Sequence, residues 1–305
     1  MSLAHDARRS TRQRADLALL AVAAAWGATF VMVKDALDQV GPLTFVAFRF
    51  GLSAAAMLPF LRRPPRLLAS TVHAGRGRLG RDIAGAGMLV GAFLFAGYAL
   101  QTGGLQFTGA GRAGFITGLN VVIVPVLAAT LGRQRIGRVA ASGVTLAMAG
   151  LILLSLGDLA AEPLAINVGD LLVLGCAVAF ALHILAVGRF AARHDVVGLA
   201  FTQIAAVAAF STLAALIWEQ PSLAALVAVW PAAAFTGLVC TVIAFTVQVQ
   251  AQRSTSPTHT ALVFSTEPVF AALFAYWLGG ERFGPAELLG CALILLGMIV
   301  AQLGE

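Results

Sequence analysis

Apolar residues in this chain come in blocks of about 17 to 22, separated by short runs that carry nearly all of the charge. At about 1.5 Å of rise per residue, such a block forms a helix of about 30 Å, the depth of the hydrocarbon core of a bilayer. Of the 305 residues 59% are hydrophobic and only 11% charged, with a mean hydropathy of +0.89. A soluble domain is about 25% charged, so this chain lacks the polar side chains to cover a globular surface. That excludes a soluble enzyme and leaves an all-α polytopic membrane protein whose first partner is the lipid bilayer.

Charged and Gly/Pro clusters cut the sequence into ten transmembrane helices near 17–34, 43–61, 83–106, 113–131, 139–157, 170–187, 196–217, 231–251, 259–278 and 286–303. Leu223–Val229, between the seventh and eighth, is also apolar. Basic residues set the orientation. Sixteen fall at the N-terminus and in the loops after even-numbered spans, from Arg8 to Arg253, whereas the alternate loops hold only Lys34, Arg112 and Arg282. This bias predicts that both termini are cytoplasmic. It also accounts for the net charge of +6 and pI of 10.2 without nucleic acid. Cys176, Cys240 and Cys291 lie inside apolar blocks without CxxC spacing and read as packing residues, so neither a disulfide nor a metal site is expected.

The second half of the chain echoes the first. An offset of 147 lays Leu131–Ile152 on Leu278–Ile299 with eight identities in 22 positions, Gly143 and Gly150 falling on Gly290 and Gly297. An offset of 154 lays Asp16 on Asp170 and Trp26 on Phe180. Five spans per half would insert the second copy upside down. Accordingly, the loop with Arg133, Arg135 and Arg138 corresponds to one with Glu281, Arg282 and Glu287. The expected organisation is a cytoplasmic segment 1–16, a first five-helix repeat 17–157, a periplasmic linker 158–169 and a second, inverted five-helix repeat 170–303.

Three stretches carry a family resemblance: AAAWGATFVMVK in span 1, QFTGAGRAGFITGLNVVIVPVL into span 4, and QRSTSPTHTALVFSTEPVFAALFAYWLGGE into span 9. With the ten-span plan, they resemble EamA-type members of the drug/metabolite transporter superfamily, a group that includes the YddG-like aromatic amino acid exporters. The resemblance implies a bacterial inner-membrane exporter of small metabolites, often amino acids. It also implies a core position for the Glu267–Pro268 pair.

Ionisable groups inside spans are costly and are functional candidates by default. Glu267 lies roughly 12 Å from the cytoplasmic start of span 9, near the midplane, and its counterpart in the repeat is Asn120. Pro268 cannot donate a backbone hydrogen bond, so a helix break is expected that frees the carbonyl of Phe264 beside a carboxylate. Arg49, inside span 2, either snorkels to the interface or faces the bundle, where it would neutralise a substrate carboxylate or pair with Glu267. His183 on span 6 reads first as a packing or hydrogen-bonded group and second as a proton relay.

Polar side chains converge as well. Tyr98, Gln101 and Thr102 share one face of span 3, as do Thr241, Phe245, Gln248 and Gln252 on the equivalent span 8. Trp26, Phe264 and Phe270 read either as helix packing or as apolar walls to a cavity. Gly143, Gly150, Gly290 and Gly297 mark a close helix contact, either between the halves or between two subunits of a homodimer. Gly109–Gly114 and Ser254–Pro257 read as hinge loops before spans 4 and 9.

The expected function is therefore secondary transport of a small zwitterionic metabolite by alternating access. A passive facilitator or uniporter of the same fold and a multidrug exporter remain open alternatives. There is no Walker A, H-E-x-x-H or G-x-S-x-G sequence, and no cofactor or enzymatic chemistry is expected.

Overall fold

In the computed structural model, described over residues 2–62, 80–131, 137–155, 167–279 and 284–303, the chain is a bundle of helices. Among the described residues there is no strand. The basic loop residues Arg63, Arg66, Arg76, Arg78, Arg133, Arg135 and Arg282, together with Glu281, lie outside the described residues, as does most of the expected linker.

The first apolar stretch is two helices, α1 (Ser2–Gly27) and α2 (Thr29–Leu37), with Ala28 between them. Then come α3 (Pro42–Arg62) and α4 (Arg81–Gly104). The fourth stretch is again split, into α5 (Ala110–Gly118) and α6 (Asn120–Thr130), and α7 (Arg138–Leu154) completes the first half. In the second half α8 (Val168–Phe190) and α9 (Val196–Trp218) precede the short α10 (Leu223–Ala228), which accounts for the extra apolar run. A third split stretch follows, with α11 (Trp230–Gly237) and α12 (Ala244–Ala251) joined by a π-helical turn over Leu238–Ile243. The last elements are α13 (Pro257–Phe264), α14 (Glu267–Gly279) and α15 (Pro285–Leu303).

Six helical stretches are long and apolar enough to cross a membrane: Pro42–Leu61, Arg81–Gly104, Ala110–Thr130, Val168–Phe190, Val196–Trp218 and Trp230–Ala251. Arg138–Leu154 and Pro285–Ala301 are shorter and apolar. Their outer faces carry large hydrophobic groups such as Leu213, Leu216, Leu288 and Ile299. In water such a surface would aggregate; in lipid it is solvated.

Local sequence sets the helix starts. Asn167 and Asp170 form a reciprocal capping box on α8, while Asp195 caps α9 and Ser256 caps α13. Gly109 caps α5 and helix begins at Ala110, so Gly109–Gly114 is not the hinge loop expected from its glycines. Once the cap is set, tertiary packing of Ala113 and Ile116 holds the helix against the cost of Gly111 and Gly114.

Helices at equivalent positions in the two halves pack antiparallel. A Cβ on Gly143 would stand 2.7 Å from the carbonyl oxygen of Gly297, and one on Gly150 would stand 2.6 Å from that of Gly290. Advancing seven residues along α7 thus retreats seven along α15, as opposed helices require. The glycine seam joins the two halves of one chain. Likewise Glu219, at the end of α9, accepts hydrogen bonds from Leu43 N, Thr44 N and Thr44 Oγ1 at the start of α3, at 2.9, 2.8 and 2.6 Å. Both contacts pair helices from the two halves running in opposite directions.

Candidate functional site

A cavity lies between the halves where the split helices meet. It has about 70 Å3 of room for the centres of water-sized molecules, and its lining runs from His183, Ile184 and Gln248 at one end to Val33, Phe45 and Leu105 at the other. Of the residues expected at the site, Trp26, Arg49, Tyr98, Gln101, Asn120, His183, Phe245, Gln248, Phe264 and Glu267 all line it.

The breaks place the polar groups. Asn120 opens α6 after the break at Leu119, and Glu267 opens α14 after the turn at Ser265 and Thr266. The turn is made by Thr266 N donating to Val263 O, while the Ser265 and Thr266 hydroxyls bond back to Leu262 O and Val263 O. Pro268 then sits in the first turn of α14, where no backbone N–H is needed. Span 4 and span 1 break without proline, so proline is one contributor among several. Gly27 makes room for this site. A Cβ there would meet Glu267 O at 2.7 Å and Ala271 N at 2.8 Å, so only glycine lets α1 rest on the broken backbone.

Arg49 faces inward and is 4% exposed. Its Nε donates to Thr241 Oγ1 at 2.8 Å, and Nη2 donates to Tyr98 Oη at 3.2 Å and Cys240 O at 3.3 Å. The guanidinium also lies over the Tyr98 ring, 4.7 Å from its centroid. No ion pair joins it to Glu267 among the described residues, contrary to one of the two roles expected for it. The π-helical turn explains why: it detaches Cys240 O from the regular ladder, and that carbonyl then accepts from both Arg49 and Trp26 Nε1, the latter at 2.9 Å. Thr241 therefore stands behind Arg49 and does not line the cavity.

Gln248 is oriented by a chain of hydrogen bonds. Ile184 O can only accept, so Gln252 Nε2 points at it (2.9 Å) and Gln252 Oε1 must receive Gln248 Nε2 (3.0 Å). Gln248 Oε1 is left buried without a partner among the described residues, as is Asn120 Oδ1. Leaving a buried acceptor unpaired costs about 1–3 kcal/mol, which a ligand bearing N–H groups would recover. His183 Nε2 is held at 2.8 Å by Gln203 Oε1, with its ring edge-to-face on Phe245.

The walls are aromatic. Trp26 packs on Phe264 and Phe245 at 4.8 and 5.6 Å between centroids, and Tyr98 packs on Phe180 at 5.3 Å. Phe270 does not belong to them. The helix restarts at Glu267, which turns Phe270 toward α1, with its Cβ 3.1 Å from where a Gly27 Cβ would stand. Sequence reasoning omitted Phe180, Thr29 and Thr117 from the site, although the offset that pairs Trp26 with Phe180 pointed to the first of these.

Comparison with known proteins agrees with this architecture. The EamA-like transporter family matches residues 13–156 and again 167–302, once in each half. The chain belongs to that family. An uncharacterized transporter of Archaeoglobus fulgidus is 32% identical over 299 residues, covering 96% of this chain and 87% of that protein. The uncharacterized transporter YyaM of Bacillus subtilis is 24% identical over 280 residues, covering 90% and 89%. A solved crystal structure, 22% identical, superimposes with a TM-score of 0.74 over 95% of this chain and 97% of its own, which establishes a shared fold. The protein is thus a multi-pass membrane transporter.

Proposed function

We propose that the protein is a secondary transporter that exports small zwitterionic metabolites, amino acids first among them, across a bacterial inner membrane. Ten spans arranged as two inverted repeats, with both termini cytoplasmic, hold the substrate between the halves and release it by alternating access. One observation carries this reading. The same cavity presents a carboxylate, Glu267, with two unpaired acceptors, Asn120 Oδ1 and Gln248 Oε1, and also a guanidinium, Arg49, not neutralised by that carboxylate. An ammonium needs acceptors and a carboxylate needs donors; Arg49 Nη1 has no protein partner among the described residues. Aromatic walls of Trp26, Phe180, Phe245 and Phe264 suit an apolar side chain between the two poles.

The test is counterflow of labelled Phe, Trp, Thr, Met and Glu in proteoliposomes, with and without a pH gradient, for wild type and Glu267→Gln. Saturable counterflow of one or more, slowed in the variant, is expected. Absence of flux for every member would reject amino acids as the substrate class, and flux proportional to concentration without saturation would reject a carrier.

A further inference from the structure

Each half of the chain reaches into the other with a buried acid–base side-chain pair. His259 Nε2 lies 2.6 Å from Asp16 Oδ1, and Arg112 Nη2 lies 2.7 Å from Asp170 Oδ2. No side chain among the four is more than 11% exposed.

These are one pair made twice. The offset of 147 that lays Asn120 on Glu267 also lays Arg112 on His259, and it carries the Gly109 cap of α5 onto the Ser256 cap of α13. The offset of 154 lays Asp16 on Asp170, and it carries the start of α3 at Pro42 onto the start of α9 at Val196. In both pairs an acid on the first helix of one half, α1 or α8, meets a base in the first turn of the helix that opens the fourth span of the other, α13 or α5. They sit at opposite ends of the bundle. Asp170 accepts from Thr108 Oγ1 at 3.0 Å, and Thr108 O accepts from Lys34 Nζ at 3.3 Å. Lys34 lies 18 residues beyond Asp16 along the first span, roughly 27 Å away at helical rise.

Elsewhere the two ends differ. Val33, Phe45 and Leu105 line the cavity toward the Arg112–Asp170 end. Their counterparts at the Asp16–His259 end, Val187, Leu199 and Gln252, form no part of its lining, and Gln252 there donates to Ile184 O. This cavity therefore reaches the walls at one end and not their counterparts at the other, yet the side-chain pair at that end, at 2.7 Å, is formed as tightly as the one at the far end, at 2.6 Å.

When two equivalent inverted halves alternate, each takes up the conformation of the other. A gate is a contact made at one end only, so it breaks on exchange. A contact made at both ends at once is made in both states. We propose that Asp16–His259 and Arg112–Asp170 are the fixed fulcra of the transport cycle, two acid–base pairs that hold α1 to α13 and α8 to α5 while the walls around Val33, Phe45 and Leu105 exchange places with those around Val187, Leu199 and Gln252. This rests on the carrier reading above.

Distances between spin labels on exposed residues test it in the full-length protein carrying Cys291→Ala, with Cys176 and Cys240 buried. Labels at Gln13 and Ser254 report on the first pair, Gly111 and Leu171 on the second, and Gln39 and Gln106 on the walls around Val33, Phe45 and Leu105. The expected result is one narrow distance across each acid–base pair and two populations across the walls. Two populations across either pair would overturn the fulcra and leave the carrier reading standing. One population at all three positions under every condition would overturn alternating access itself, and the fulcra with it.

Discussion

Adding one methyl group to the seam between α7 and α15 should part the two halves measurably. In Gly150→Ala the new Cβ would stand 2.6 Å from Gly290 O and 2.7 Å from Ile294 N. Both are backbone atoms, so no rotamer change relieves the contact. Restoring ordinary separation moves the helices apart by roughly 0.8 Å, the difference between 3.4 and 2.6 Å. A gap of about 0.5–1 Å forfeits a quarter to a half of the dispersion between facing atoms. The overpacking cost of about 1–3 kcal/mol is offset by about 0.5–1 kcal/mol from replacing a helical glycine. A net loss of about 1–2 kcal/mol is expected, seen as a lower melting temperature of the detergent-purified protein. Gly143→Ala meets Gly297 O at 2.7 Å on the same seam, so the double variant should lose less than the two singles together, because the helices need part only once. Gly85→Ala, with nothing within 4 Å of the new Cβ, is the control and should gain about 0.5 kcal/mol or be neutral. If Gly150→Ala melted at or above the wild-type temperature while Gly85→Ala behaved as expected, the close seam between the halves would be refuted.

Other expectations follow from the same geometry. Glu219→Ala removes three hydrogen bonds at the start of α3 and should lower stability by about 1–2 kcal/mol in thermal melting, whereas a neutral effect would deny the cap. Trp26→Phe keeps the aromatic wall but loses the bond to Cys240 O, so it should slow counterflow more than it lowers the melting temperature. Gln252→Leu frees Gln248 to rotate and should weaken substrate binding by several-fold, read as a raised half-saturation concentration in counterflow; an unchanged value would mean that the hydrogen-bond chain does not orient Gln248.

Much of the architecture was legible because lipid imposes a simple pattern. Span length, the eight identities in 22 positions around the glycine seam and the Asp16–Asp170 register are all readable from the sequence. Glu267 and Arg49 stood out because charge inside an apolar run is costly. What escaped were features made by tertiary contact. The break at Ala28 has no proline to announce it, and the π-helical turn at Leu238–Ile243 shows itself only through the detached carbonyl of Cys240. That carbonyl, in turn, decides that Arg49 engages span 8 instead of Glu267. Phe270 was misplaced for a related reason: helical spacing counted through the turn at Ser265 and Thr266 gives the wrong face. His259 and Arg112 read as residues at span ends, and only the fold brings them to acids 243 and 58 positions away.

The central claim is that Glu267 and Arg49 hold opposite poles of one substrate. Its most direct test is competition of counterflow by two analogues of the carried amino acid: the methyl ester, which lacks the carboxylate, and the deaminated acid, which lacks the ammonium. The account predicts that wild type rejects both by about 100-fold or more. Glu267→Gln should lose discrimination against the deaminated acid alone, and Arg49→Gln against the ester alone. If either variant lost both discriminations, or neither variant lost any, the two-pole account of the cavity would be contradicted.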